Sequence, residues 1–425
     1  MSRSVRFQGA GYRWVVLAAG VIAQAAAATV LQGLPSLAPV LRSTYGLSLP
    51  ELGVVLGSGT TGLLLALVGW GILADRVGER WVMSAGLVLS ALALFLASRA
   101  GRPVTLIACL VAAGAAGASV NAASGRAVLA WFPRAKRGLA MGLRQTAIPV
   151  GAAAAAVGLP AAARRWGLSS AFVCMAGVCL LGALVVVALV REAPAEPLRL
   201  VKPASPGPSS SPPTTRERRP VLVLCAVSLL LVVPQTAVVS FLVVYLVEGF
   251  HVSAGAAAGL LAVVQMGGGA ARIGLGWWSD RTGLRLRSLG TVAFVAAGLF
   301  AVLSLLGALH WVAAVPVMAL AGVVAISWNG LAFTAVGELA DPRRVGLVLG
   351  VQNTAVAAGM AVTPPALGAL VERFSWGPAF AVVMCSAVLA RLLLRGPIRA
   401  ERGAAAAPPD SVVPLPRGNA RGSAR

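Results

Sequence analysis

Charge is scarce in this chain of 425 residues: Asp and Glu number 13, Lys and Arg 35, and charged residues make up 11% against 58% hydrophobic. A soluble protein carries about 25% charged and about 45–50% apolar residues, so the composition excludes a soluble enzyme. Histidine is rarer still, with His251 and His310 alone, and neither has a second histidine or a cysteine at ligand spacing. The acidic residues all fall outside the middle of the apolar runs. This leaves no candidate metal site, cofactor site, buried proton relay or nucleophile–His–acid arrangement, and points away from an enzyme. The five cysteines, Cys109, Cys174, Cys179, Cys225 and Cys385, lie inside apolar runs, so reduced core residues are expected rather than disulfides, which belong to oxidised, exposed loops.

What the chain has instead is long apolar sequence, with a mean hydropathy of +0.86. A membrane-crossing helix needs about 20 apolar residues. Runs between charged or Gly/Pro breaks predict twelve spans near residues 14–40, 51–74, 81–99, 104–131, 138–160, 168–190, 221–246, 254–279, 288–308, 311–337, 345–370 and 375–394. The first run exceeds the roughly 7–15 apolar residues of a cleavable signal and is expected to be retained. Residues 191–220 are rich in Pro, Ser and charge, a composition that cannot bury enough surface to order itself. The expected organisation is therefore a tail at 1–13, a six-helix bundle at 14–190, a disordered cytoplasmic linker at 191–220, a second bundle at 221–396 and a disordered tail at 397–425.

The formal net charge of +22 is spread as short basic clusters between spans. With the N-terminus inside, Arg76, Arg80, Arg134, Lys136, Arg137, Lys202, Arg281, Arg285, Arg287, Arg343 and Arg344 all fall on inner loops, as the enrichment of Lys and Arg in short cytoplasmic loops requires. Topology accounts for the charge, so nucleic acid is not expected as a partner. A plasma-membrane protein with both termini cytoplasmic is.

The two halves repeat one another. Gly71-Ile-Leu-Ala-Asp75-Arg76-Val-Gly78-Glu-Arg80 follows the second span, and Gly276-Trp-Trp-Ser-Asp280-Arg281-Thr-Gly283-Leu-Arg285 follows the eighth. Arg137 to Gly151 aligns with Val345 to Gly359, and the same register sets Asn121 opposite Asn329. Internal repeats of this kind build two bundles that rock around one site. The Gly-x-x-x-Asp-Arg-x-Gly-x-Arg loop and its echo resemble the signature of the major facilitator superfamily of secondary transporters. That resemblance implies an all-α fold of two pseudo-symmetric six-helix bundles, with the repeated loops serving as a latch on the cytoplasmic side. Glycines there permit a tight turn and close approach, and a carboxylate at Asp75 can bond loop arginines or a helix N-terminus.

Three arginines lie within spans: Arg126, Arg144 and Arg272. Each costs about 2.5–3.5 kcal/mol at a helix centre on insertion scales. Arg126 is close enough to a helix end to snorkel and is expected to be structural. Arg144 and Arg272 lie deeper, with no carboxylate at their level, and are the candidate substrate ligands. Uncharged polar residues at similar depth, Gln24, Asn121, Gln145, Gln235, Gln265, Asn329, Gln352 and Asn353, with Trp328 beside Asn329, complete the candidate site. In the family resembled, the helices that carry them line or flank the central cavity. The expected function is alternating-access transport of a small organic anion such as a carboxylate, by a monomer in the lipid bilayer. Export of hydrophobic drugs or neutral metabolites, and a transporter-like sensor without flux, are the alternatives. Exchange, facilitated flux, or symport with a proton near substrate or at Glu51 or Glu338 is expected, because no carboxylate lies at mid-membrane.

Overall fold

The computed structural model describes residues 4–132, 134–191, 215–306, 311–339 and 345–406, without the side chains of a number of helix residues, among them Asp75, Arg126, Arg134, Lys136 and Arg137. These residues form α1 (Ser4–Gln32), a 3-10 turn (Leu34–Leu37), α2 (Ala38–Tyr45), α3 (Leu49–Val77), α4 (Glu79–Ala97), α5 (Pro103–Trp131), α6 (Arg134–Trp166), α7 (Leu168–Leu189), α8 (Thr215–Phe250), α9 (Ala254–Thr282), α10 (Arg285–Leu306), α11 (Trp311–Ser327), α12 (Asn329–Leu339), α13 (Val345–Phe374), α14 (Trp376–Leu393) and α15 (Arg395–Ala406). Among the described residues, twelve stretches are long and apolar enough to cross a membrane. They match the expected spans, the first formed by α1 with α2 and the tenth by α11 with α12.

Helices run past the apolar stretches into polar sequence. α1 begins at Ser4, α8 begins at Thr215 inside the segment expected to be linker, and α15 occupies part of the expected C-terminal tail. Hydropathy reports where the bilayer is, whereas Arg, Glu and Ala sustain a helix in water as well. α15 is also anchored: Glu401 accepts from the backbone N–H of Leu286 at 2.8 Å and of Arg287 at 3.0 Å, two donors left over at the start of α10. Residues 192–214 and 407–425, together with His310, Arg343 and Arg344, lie outside the described residues.

The packing repeats as the sequence does. In the first half α1 packs on α6, α3 on α5 and α4 on α7; in the second, α8 packs on α13, α9 on α11 and α10 on α14. Small residues bring these helices together. Gly59 and Gly62 of α3 lie against Gly114 and Val111 of α5, so close that a Cβ would collide with main chain, and Ser90 of α4 donates to the Ala113 carbonyl at 2.7 Å. Without a hydrophobic force between helices in lipid, such contacts drive association. Large apolar side chains point outward instead, Leu305 83% and Leu65 75% exposed, as a lipid-facing surface requires.

Between the halves, α3 packs on α13 and α6 on α9. Gly53 lies against Pro364, and a Cβ on Gly57 would sit 2.7 Å from the Ala361 carbonyl oxygen. Arg42 and Glu248 form an ion pair from α2 to α8. These contacts lie at the membrane face away from the repeated loops, hereafter the far end; the opposite face is the loop end.

Candidate functional site

The repeated loops explain part of their own sequence. Gly78 (φ 91°) joins α3 to α4, and Gly283 (φ 66°) ends α9 with its N–H on the Ser279 carbonyl, conformations in which a Cβ is strained. Gly71 and Gly276 meet nothing within 4 Å, so the expectation that they permit close helix approach does not hold in this state. Arg285 pairs with Asp280 at 2.9 Å and, through Nε, with Glu338 of α12 at 2.7 Å. Arg80 donates to the Val187 carbonyl at 2.5 Å, and Arg281 lies 3.9 Å over the Trp277 ring. Arg76 is exposed. These contacts tie each half to itself instead of bridging the halves as a latch would, because the closed face in this state is the far end.

Arg144 sits on α6, where its guanidinium enters a cage built by α1 and α5. Nη1 donates to Gln24 Oε1 at 3.0 Å and Ser124 Oγ at 2.8 Å, and Nη2 to Gln145 Oε1 at 3.3 Å. Gln24 in turn donates to Asn121 at 3.0 Å. Arg144 is 7% exposed, its Nε has no partner, and every acceptor around it is neutral. Ser124 was legible: it lies three residues from Asn121, on the same helix face.

Arg272 on α9 is held differently. The tenth span breaks at Trp328, between α11 and α12, and the last carbonyls of α11 lack intrahelical donors. Arg272 Nη2 donates to one of them, Ile326 O, at 3.0 Å. Its stem runs beside Gly330, where an added Cβ would stand 3.4 Å from Arg272 Cγ. A cation at a helix C-terminus also meets the negative end of the dipole. The Arg272 Nε, like that of Arg144, is buried without a partner. The turn dipeptide Asn329-Gly330 was the signal for this break.

The two arginines share a level. Pro149 of α6 packs on Gly269 of α9, with a Cβ at Gly269 reaching 3.0 Å from the proline ring. Arg144 lies five residues and Arg272 three residues from that contact, about 7.5 Å and about 4.5 Å toward the loop end.

The remaining candidates divide. Asn329 donates to Gln235 at 3.0 Å, joining α12 to α8. Gln265 of α9 reaches Gln32 of α1 across the halves at 3.5 Å. Gln352, wholly buried, donates to Ser228 at 2.9 Å and joins α13 to α8. Trp328 is 0% exposed, within an apolar cluster that includes Leu224, Leu231 and Leu289, so its ring serves the core. Asn353 is exposed. Among the described residues no group of His, Cys, Asp and Glu could hold a metal ion.

Comparison with known proteins adds a family. A family model, the Major Facilitator Superfamily, matches residues 16–364. An uncharacterized MFS-type transporter of Mycobacterium tuberculosis, Rv2994, is 34% identical over 377 residues, 88% of this chain and 83% of that protein. The uncharacterized transporter YybO of Bacillus subtilis is 33% identical over 111 residues, 26% of this chain and 25% of YybO. Among solved structures, a bacterial homologue of the human lysosomal transporter Spinster, inward-facing and occupied, superposes with a TM-score of 0.68 at 17% identity, over 93% of this chain and 97% of that one. A peptide transporter, POT, in complex with sulfate gives 0.71 at 15% identity, over 91% and 94%. At these identities the two structures speak to the fold alone.

Proposed function

The chain belongs to the major facilitator superfamily of membrane transporters, and from that premise we propose that it moves a small organic anion, a carboxylate in the first instance, by alternating access. One observation carries this reading. Arg144 and Arg272, from opposite halves, are buried at one level within the spans with only neutral acceptors around them, and the Nε of each is unpartnered. Buried guanidinium groups of this kind favour a ligand carboxylate, which matches the planar fork of donors. An anion between them would bridge the bundles and offset the desolvation of both charges, so closure around substrate is easier than closure when empty.

The loop end is the cytoplasmic face, on the distribution of Lys and Arg, with both termini there and the plasma membrane as the host bilayer. The contacts Gly53–Pro364, Gly57–Ala361 and Arg42–Glu248 then seal the external side, and the opposite state requires them to part. The repeated loops, with Asp75, would close the cytoplasmic side in that state. The protein works as a monomer of two six-helix bundles, with no catalytic chemistry.

A second reading has an observation of its own. Arg272 caps α11 through Ile326 O, a structural use that a carrier of neutral or hydrophobic compounds would also need. Purified protein in liposomes separates the two. Counterflow of labelled carboxylates that is lost in Arg272→Gln and Arg144→Gln supports the anion. Anion flux at wild-type rate in both variants overturns it, and no flux of any solute indicates a sensor.

A further inference from the structure

The polar groups buried within the spans form two tiers, and only one carries charge. The arginine tier lies toward the loop end. Toward the far end, Gln32, Thr60, Gln235, Thr236 and Ser240 line a cavity of about 20 Å³ between α1, α3 and α8, closed on its other side by Pro364 of α13. That volume exceeds the roughly 10–15 Å³ needed for one water-sized group. Thr236 is 5% exposed and its Oγ1 has no hydrogen-bond partner, an arrangement that buried hydroxyls avoid unless something else completes it. Beside it the Gln265–Gln32 contact is long, at 3.5 Å, and exchanges readily for a better partner.

We infer that this cavity is a second subsite of the transport site and receives a hydroxyl group of the substrate, which makes the cargo a hydroxylated carboxylate rather than a plain fatty or aromatic one. The inference rests on the anion reading above. The chemistry of the lining selects the group. A hydroxyl both donates and accepts, and so serves the Thr236 hydroxyl together with the amides of Gln32 and Gln235. A second carboxylate would meet no cation among the lining residues, and an alkyl end would leave Thr236 unsatisfied.

The tiers are also spaced for one molecule. Gln265 and Arg272 are seven residues apart on α9, hence on one face and about 10.5 Å apart along the axis. On α1, Gln24 of the arginine cage and Gln32 are separated by eight residues, about 12 Å. A chain of about six carbons, at about 1.5 Å per bond, spans most of that distance once the arginine side chains reach inward. Gln235 connects the tiers, lining the cavity while accepting from Asn329 at the helix break beside Arg272.

The test compares three probes on purified full-length protein by thermal shift, with affinity read from the concentration dependence: gluconate, hexanoate and glucose. Gluconate is expected to bind at least ten-fold more tightly than hexanoate, and glucose to be silent. Thr236→Val should remove most of that ten-fold advantage, by weakening gluconate without weakening hexanoate, and Thr236→Ser should restore it, which separates a lost hydroxyl from a damaged fold. Arg272→Gln should abolish binding of both acids. Equal affinity for gluconate and hexanoate in the wild type overturns the subsite and leaves the anion reading standing. Glucose binding as tightly as gluconate overturns the anion reading and the proposal with it. Unchanged gluconate affinity in Thr236→Val, or silence toward gluconate altogether, overturns the subsite.

Discussion

Arg144 and Gln352 occupy the same register of the internal repeat, yet their surroundings have diverged. Arg144 carries a charge into a cage of three acceptors on α1, α5 and α6. Gln352 is neutral, wholly buried, and joins α13 to α8 through Ser228. One copy of the repeat thus keeps a guanidinium with unused donor capacity, while the other has become an interhelical bond. The second charge of the proposed site, Arg272, comes from a different helix and is held at a helix break instead of by side chains. Two bundles related by repetition can share a backbone architecture while dividing the work of a site unequally.

The sharpest way to break this asymmetry is to erase it. Arg144→Gln makes the first half like the second; if the arginine binds cargo, truncating one partner of a buried charge pair costs about 2–5 kcal/mol, and liposome flux should fall at least 30-fold with expression retained. Symmetry imposed the other way, Gln352→Arg, buries a charge where no cage exists. A cost of about 2.5–3.5 kcal/mol should appear as a lower yield of monodisperse protein, with no gain in anion flux.

The cage itself should matter less than the charge. Gln24→Leu removes the acceptor for Arg144 and the donor to Asn121, and unsatisfied buried groups cost about 1–3 kcal/mol. A lower melting temperature is expected, with anion affinity weakened about ten-fold or less, whereas Gln24→Asn should recover part of both. Smallest of all is Arg285→Ala at the loop end. Its partners Asp280 and Glu338 are more than half exposed, and such pairs contribute about 0.2–1 kcal/mol. Stability should change within that range, and a large loss of flux would show that these loops act in the transport cycle rather than in folding.

Much of this was legible beforehand because the bilayer imposes a simple rule. Twelve spans followed from apolar run length, and Gly78 and Gly283 of the repeated loops followed from the turns that end α3 and α9. The neutral setting of Arg144 was also readable, since no acidic residue lies near its level. Harder to read was partnership. Asn121 and Gln24 were recognisable as polar residues at depth, but that they meet, and that Ser124 joins them, depends on how α1, α5 and α6 cross. Gln352 and Trp328 looked like cavity residues and became packing, because a sequence position at the right depth carries no information on which neighbour it faces.

Composition and periodicity by themselves determined the membrane location, the number of spans and the repeat, since those depend on local hydropathy and on self-similarity along one chain. Only the tertiary structure decided that the Ile326 carbonyl freed at the break of the tenth span meets Arg272, and that the far end is the closed one in this state. Each of these is a contact between residues more than fifty positions apart, where interhelical packing and the satisfaction of buried polar groups outweigh any local preference.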